Sequence, residues 1–253
     1  MKKLNILMLV ALFFALTFTS CNKNDDDNKS ELGGVNNCIS GVFSVSDNKK
    51  INFSKGNLQL NIETKQFQFA EHQWDYVGND GDNIIDLFEL KDGNPIYSIN
   101  NENTVISDAE WDILSQEEWE YLIDRDKKSK YGVAEVNGVQ GLVLLPDDWV
   151  LPEGVTFNIG VAIGMDSKYY KTKNLLSLEE WTKMEAAGAV FLPAAGYRIE
   201  TDVLFDGDDG YYLSSTAKNT DEMCLMVFNS GRIRHDIVSS NDAGYSVRFV
   251  HVL

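Results

Sequence analysis

From Gly41 onward the chain is written in short runs that alternate apolar with polar residues: Val42-Phe43-Ser44-Val45, Ile51-Asn52-Phe53, Leu58-Gln59-Leu60-Asn61-Ile62 and Phe67-Gln68-Phe69. Successive side chains of a strand point to opposite faces, so this period predicts sheets with one buried face. Asp47-Asn48 and Lys55-Gly56-Asn57 supply the turns between them. The last third repeats the pattern over 189–192, 210–215, 223–228, 233–238 and 245–250. Val133–Val136 and Val139–Leu145 flank Asn137-Gly138, which predicts a hairpin with a primed turn, ended by Pro146. Between Trp74 and about Ser107 the sequence is rich in Asp, Asn and Gly, which predicts surface loops.

Two helices interrupt the strands. Ser115-Gln116-Glu117-Glu118 and Ser177-Leu178-Glu179-Glu180 are capping boxes, in which Ser and the third-following Glu satisfy the free amides of a first turn. Each is followed by a tryptophan. Trp119, Leu122 and Ile123 form one apolar stripe and Trp181, Met184 and Ala187 the other, with Gly188 placed to end the second helix. Two helices among many antiparallel strands predict an α+β fold. No stretch between Gly41 and Leu253 is rich enough in Pro, Gly or Ser to divide it, so residues 38–253 are expected to form one domain.

The start of the chain is different in kind. Lys2-Lys3 precede an apolar run from Leu4 to Phe18 and then Thr19-Ser20-Cys21. The run is short for a span of roughly 20 residues, and small residues follow it, which predicts a cleaved signal peptide over 1–20. Residues 22–31 are wholly polar and carry three adjacent carboxylates, Asp25, Asp26 and Asp27. Mutual repulsion keeps such a segment extended, so 21–37 reads as a tether with an r.m.s. reach of roughly 20 to 25 Å. Loss of Lys2 and Lys3 with the leader takes the basic count from 22 to 20 against 39 acids, a net charge of −19. That charge excludes nucleic acid as a partner and disfavours an anionic lipid surface. Beyond Cys21 only Cys38 and Cys224 remain, without CxxC spacing, and are either free and buried or paired with each other.

These segments carry two resemblances. The leader ending in Cys21 resembles the lipobox of bacterial lipoproteins, with Phe18 where Leu is usual, which implies lipidation of Cys21 and attachment to outer-membrane lipid through its acyl chains. The acidic run of Asp25, Asp26 and Asp27 is similar to the export signal of surface lipoproteins of the Bacteroidota; a solvated periplasmic linker is the alternative. In the folded part, 41–45, 53–59, Gln73–Gly78, Trp111–Trp119, Gly141–Trp149, Gly188–Gly196 and Gly244–Val250 together resemble surface lipoproteins with the major paralogous domain named after Fibrobacter. The pairing of Leu114–Tyr121 with Gly244–Phe249 also resembles the formylglycine-generating enzyme superfamily. That resemblance implies a C-type-lectin-like fold with long loops and neighbouring chain ends.

The resemblance does not carry the superfamily's chemistry. Its oxidases use a pair of cysteines before the closing element, and here 219–242 holds Cys224 alone, among apolar neighbours. The sugar-binding tripeptides of calcium-dependent lectins are missing. No cofactor is called for; the densest oxygen set for a calcium ion is Asp206, Asp208 and Asp209 in a glycine-flanked turn, with Asp80-Gly81-Asp82-Asn83 a second acidic turn. His72, His235 and His251 stand far apart, and no phosphate loop or nucleophile elbow occurs. The expectation is a non-catalytic surface binding or adhesion module for a glycan or protein ligand, with Trp74, Trp111, Trp149, Tyr169, Tyr170, Tyr211 and Tyr212 as aromatic supply. The alternatives are a glycan hydrolase using two carboxylates among Asp75, Asp80, Asp82 and Asp86, or a structural component of a surface appendage.

Overall fold

The structure, a computed structural model, describes residues 32–78, 83–91, 94–99, 102–106, 108–124, 126–128 and 130–253. The leader, Cys21 and Asp25–Asp27 lie outside the described residues, as do Asp80 and Asp82. The fold is α+β, mostly antiparallel sheet.

A 3-10 turn at Gly34–Asn37 leads to β1 (Phe43–Ser44) and β2 (Lys50–Phe53), paired antiparallel with Phe43 opposite Ile51. β3 (Leu58–Asn61) and β4 (Gln66–Phe69) form a hairpin whose free edge takes β5 (Ile84–Ile85). β6 (Leu87–Lys91), β7 (Asn94–Ile99) and β8 (Glu102–Val105) then form a meander where the sequence predicted loops. Leu87 and Phe88 are both buried, so β6 shows no alternation. Besides β7 it pairs with a strand from far along the chain, through Phe88 opposite Tyr245.

α1 (Gln116–Ile123) starts at the predicted capping box, with Ser115 Oγ accepting the Glu118 amide and the Glu118 carboxylate accepting the Ser115 amide. β9 (Lys130–Val136) and β10 (Val139–Leu145) are the predicted hairpin, with Asn137 and Gly138 at φ 50° and 82° as a primed turn needs. α2 (Lys168–Lys173) escapes sequence reading because it has six residues and no side-chain cap; buried Tyr170 pins it, its hydroxyl donating to Asp208 O at 2.8 Å. β11 (Leu175–Leu176) runs parallel to β9, and α3 (Leu178–Ala186) begins at the second capping box. Trp181 and Met184 are buried as predicted, but Ala187 is the exposed C-cap and leaves the stripe; Gly188, at φ 91°, ends the helix.

β12 (Val190–Pro193) borders β10. A hairpin of β13 (Ala195–Ile199) and β14 (Asp202–Asp206), unmarked by alternation, is followed by β15 (Gly210–Ala217), β16 (Glu222–Asn229) and β17 (Arg232–Ser240). β18 (Tyr245–Ser246) inserts between β15 and β6, while β19 (Val250–Val252) pairs with β2, so the first and last parts of the fold share one sheet.

Trp119 is 1% exposed and packs on Phe53 and Tyr212, with its Nε1 donating to Leu213 O at 3.2 Å. Trp181, fully buried, lies on Phe191 in a separate cluster under α3. A further cluster joins Leu58, Leu60, Trp111, Leu213, Leu225 and Tyr245, and its rim carries Tyr197, Tyr211 and Val227 out to solvent. Cys38 and Cys224 are free thiols, so they do not take the paired alternative. Each is held in its own backbone ladder, Cys38 opposite Ser54 and Cys224 between Leu213's strand and β17.

Candidate functional site

The side-chain alternation of β15 sets the site. Tyr212 points inward, fully buried, with its hydroxyl donating to Pro193 O at 3.0 Å and accepting from Asn57 Nδ2 at 3.1 Å. Tyr211 therefore points to the other face, half-buried at the rim of the core. Register then builds a row across three strands: Tyr211 lies opposite Val227, and Val227 opposite Arg234. One step along, Asn229 lies opposite Arg232. The row and Asp209 line a groove of about 140 Å³.

The groove's polar groups are tied together. Tyr211 Oη donates to Asp209 Oδ2 at 3.3 Å. Burial pushes the Asp209 carboxyl above the usual range and the Asp208 charge adds to it, while hydrogen bonds from Tyr211 and Asn229 and the Arg232 charge oppose the rise. Burial, then the Asp209 charge, holds the Tyr211 phenol protonated. Arg234 is aligned by a two-point bond to its neighbour, Nε to Asp236 Oδ1 and Nη2 to Asp236 Oδ2, both at 2.8 Å. An aromatic face, an apolar valine and a fixed set of donors and acceptors make a site suited to a hydroxyl-rich ligand with apolar ring faces.

Further aromatic rings continue the face. Tyr197 of β13 meets Tyr211 edge-on at 4.9 Å between centroids and lies nearly parallel to Phe205 at 6.0 Å. Tyr245 is buried beneath, 6.2 Å from Tyr197. Of the aromatics expected from sequence, Tyr211 lies here; Trp111, Tyr170 and Tyr212 are buried, Trp149 rests on the α3 cluster, Trp74 stacks with His72 and Tyr169 lies beside Lys168. Tyr197, Phe205 and Tyr245 were missed, since nothing local marks side chains brought together by β13, β14, β15 and β18.

The turn expected to offer calcium an oxygen set directs its carboxylates differently. Asp206 lies against Gly78 and Tyr76, whereas Asp209 is turned into the groove toward Tyr211, Asn229 and Arg232. Asp206 and Asp209 thus have different surroundings, and no group of three or more His, Cys, Asp or Glu fit to hold a metal occurs among the described residues. Of the hydrolase carboxylates, the two described ones, Asp75 and Asp86, are committed locally. Asp75 accepts the His72 amide at 2.9 Å, and Asp86, 3% exposed, accepts the Val77 amide at 2.7 Å. A wider depression of about 470 Å³ beside α1 includes Glu118, but one of its oxygens pairs with Lys49 at 2.7 Å and the other caps the helix.

No family model, curated protein or solved structure matches the chain.

Proposed function

We propose that the protein is a lipid-anchored binding module of the bacterial outer surface, with a C-type-lectin-like domain that holds a carbohydrate in the Tyr211 groove without turning it over. The observation that carries the ligand assignment is the cross-strand row Tyr211–Val227–Arg234 beside Asp209, Asn229 and Arg232: a ring for stacking flanked by paired donors and acceptors. The lectin-like reading is supported by the two Ser-capped Trp helices and by the pairing of β2 with β19 near the chain ends. The anchor rests on the leader ending in Cys21, and outward display on Asp25, Asp26 and Asp27.

A glycan array, run with and without calcium and beside turnover assays on the same glycans, tests the reading. Binding without product release, independent of calcium and lost in Tyr211→Ala, is expected. Product release would favour a hydrolase, and silence on every glycan would favour a protein ligand or a structural role in an appendage. Replacing Cys21 by Ala is expected to release the protein from membranes. Replacing Asp25, Asp26 and Asp27 by Ala is expected to reduce surface protease sensitivity.

A further inference from the structure

Phe205 departs from ordinary backbone chemistry. Its φ is 59°, in the left-handed region that bulky side chains avoid, and the residue is 53% exposed. It falls between the pairs Ala195–Asp206 and Tyr197–Leu204, where the hairpin kinks. Opposite it Gly196 has φ 67° and no room for a side chain, since a Cβ would lie 2.1 Å from Leu204 O.

The kink itself has a use. Phe205 O accepts the amides of Asp208 at 3.1 Å and Asp209 at 3.0 Å, so the left-handed turn delivers Asp209 to Tyr211. Glycine or asparagine at position 205 would serve that backbone equally well. The ring is what a phenylalanine adds, and it stacks on Tyr197 at an interplanar angle of 19°, next to the groove. A strained residue that displays an apolar ring beside a site is accounted for by a contact the ring makes with a ligand.

Charge narrows the ligand. Arg234 is neutralised by Asp236 and Arg232 lies in the field of Asp209. The exposed carboxylates of Asp206 and Asp208 edge the same turn, on a chain of net charge −17. An acidic sugar would meet repulsion there.

We infer that the Tyr211 groove and the Tyr197–Phe205 pair are adjoining subsites for one neutral oligosaccharide, so that affinity requires at least two sugar residues. This rests on the carbohydrate reading above. Calorimetric titration of the full chain, in a detergent without a sugar headgroup, would use cello-, xylo-, manno- and laminari-oligosaccharides from monosaccharide to hexasaccharide, with oligogalacturonides of matched length. The expected result is a rise in affinity of about tenfold or more between monosaccharide and tetrasaccharide in one neutral series, as one added aromatic stack supplies. Phe205→Gly, which keeps the left-handed backbone, is expected to abolish that rise, and Phe205→Asn to do the same should the glycine variant fold poorly. Affinity independent of length, a rise that survives both variants, or tighter binding of oligogalacturonides would overturn the two-subsite inference while leaving the groove as a sugar site. No binding to any glycan would overturn both.

Discussion

Arg248 donates from Nη2 to Gln73 Oε1 at 2.5 Å, joining residues 175 apart in sequence. Both are buried. Arg248 Nη1 donates to Asn57 Oδ1 at 3.3 Å, and Gln73 Nε2 donates to Glu185 Oε1 at 2.8 Å and Ala189 O at 3.2 Å. Gln73 Oε1 also accepts the Phe191 amide at 2.9 Å. One arginine and one glutamine thus tie the closing segment to the turn before β5, to α3 and to β12. Burial lowers the Arg248 pKa to about 10, which leaves the guanidinium charged at neutral pH.

Removing Gln73 leaves a buried charge and a buried amide without their acceptor. Gln73→Ala is therefore expected to cost roughly 3 to 5 kcal/mol in urea unfolding. Arg248→Met, which removes the charge and keeps much of the volume, is expected to cost less. A larger loss for Arg248→Met would mean that the guanidinium is a net stabiliser rather than a cost that Gln73 offsets.

The two members of this pair were visible in the sequence as motifs, Gln73–Gly78 and Gly244–Val250, but their partnership was not, because a glutamine in a turn carries no signal of its distant acceptor role. Elements with local grammar were legible. The capping boxes, the Asn137-Gly138 turn and the alternating strands came through because their causes lie within a few residues. β6 and β13 were not, since each also depends on a strand elsewhere in the chain, β18 and β15, and β7 builds on β6. The candidate site shared that fate: Asp209 and Tyr211 were picked out, while Tyr197, Phe205, Asn229 and Arg234 acquired a role only through sheet register.

The two tryptophans, alike in sequence, are expected to respond differently. Truncating either to Ala should cost about 3 to 5 kcal/mol. Trp119 Nε1 donates to Leu213 O, whereas Trp181 Nε1 has no hydrogen-bond partner among the described residues. Trp119→Phe strands a buried carbonyl and is expected to cost about 1 kcal/mol more than Trp181→Phe. Equal losses from the two conservative variants would show that the Leu213 bond contributes nothing net.

Burial, and secondarily the charge of Glu110, pushes the Cys38 thiol up to about 11. Cys224 is 3% exposed within β16. Both are expected to resist maleimide at pH 8 in the folded protein and to react fully on unfolding without reductant. A pair that stays unreactive until reductant is added would mean a disulfide, contrary to the free thiols seen here.

Asp86 gives the protein a pH response of unusual sign. Its buried carboxyl has a pKa raised from 3.8 to about 6, chiefly by desolvation, with the Val77 hydrogen bond pulling the other way. The folded value lies above the unfolded one, so the native state holds this proton more tightly. Its contribution is favourable below about pH 4, declines as pH rises from about 4 to about 6 and is level above that, a change on the order of 3 kcal/mol. Glu180, Asp166 and Asp236 have lowered values and act oppositely, losing stability as pH falls, but they are exposed and weak. They are also common to wild type and variant, so a difference removes them. Asp86→Asn keeps an oxygen for the Val77 amide and cannot ionise. Its stability relative to wild type, measured by urea unfolding, is expected to improve by about 2 to 3 kcal/mol between pH 4 and pH 7.5. A difference that does not change over that interval would show that Asp86 is already ionised when folded at the lower pH.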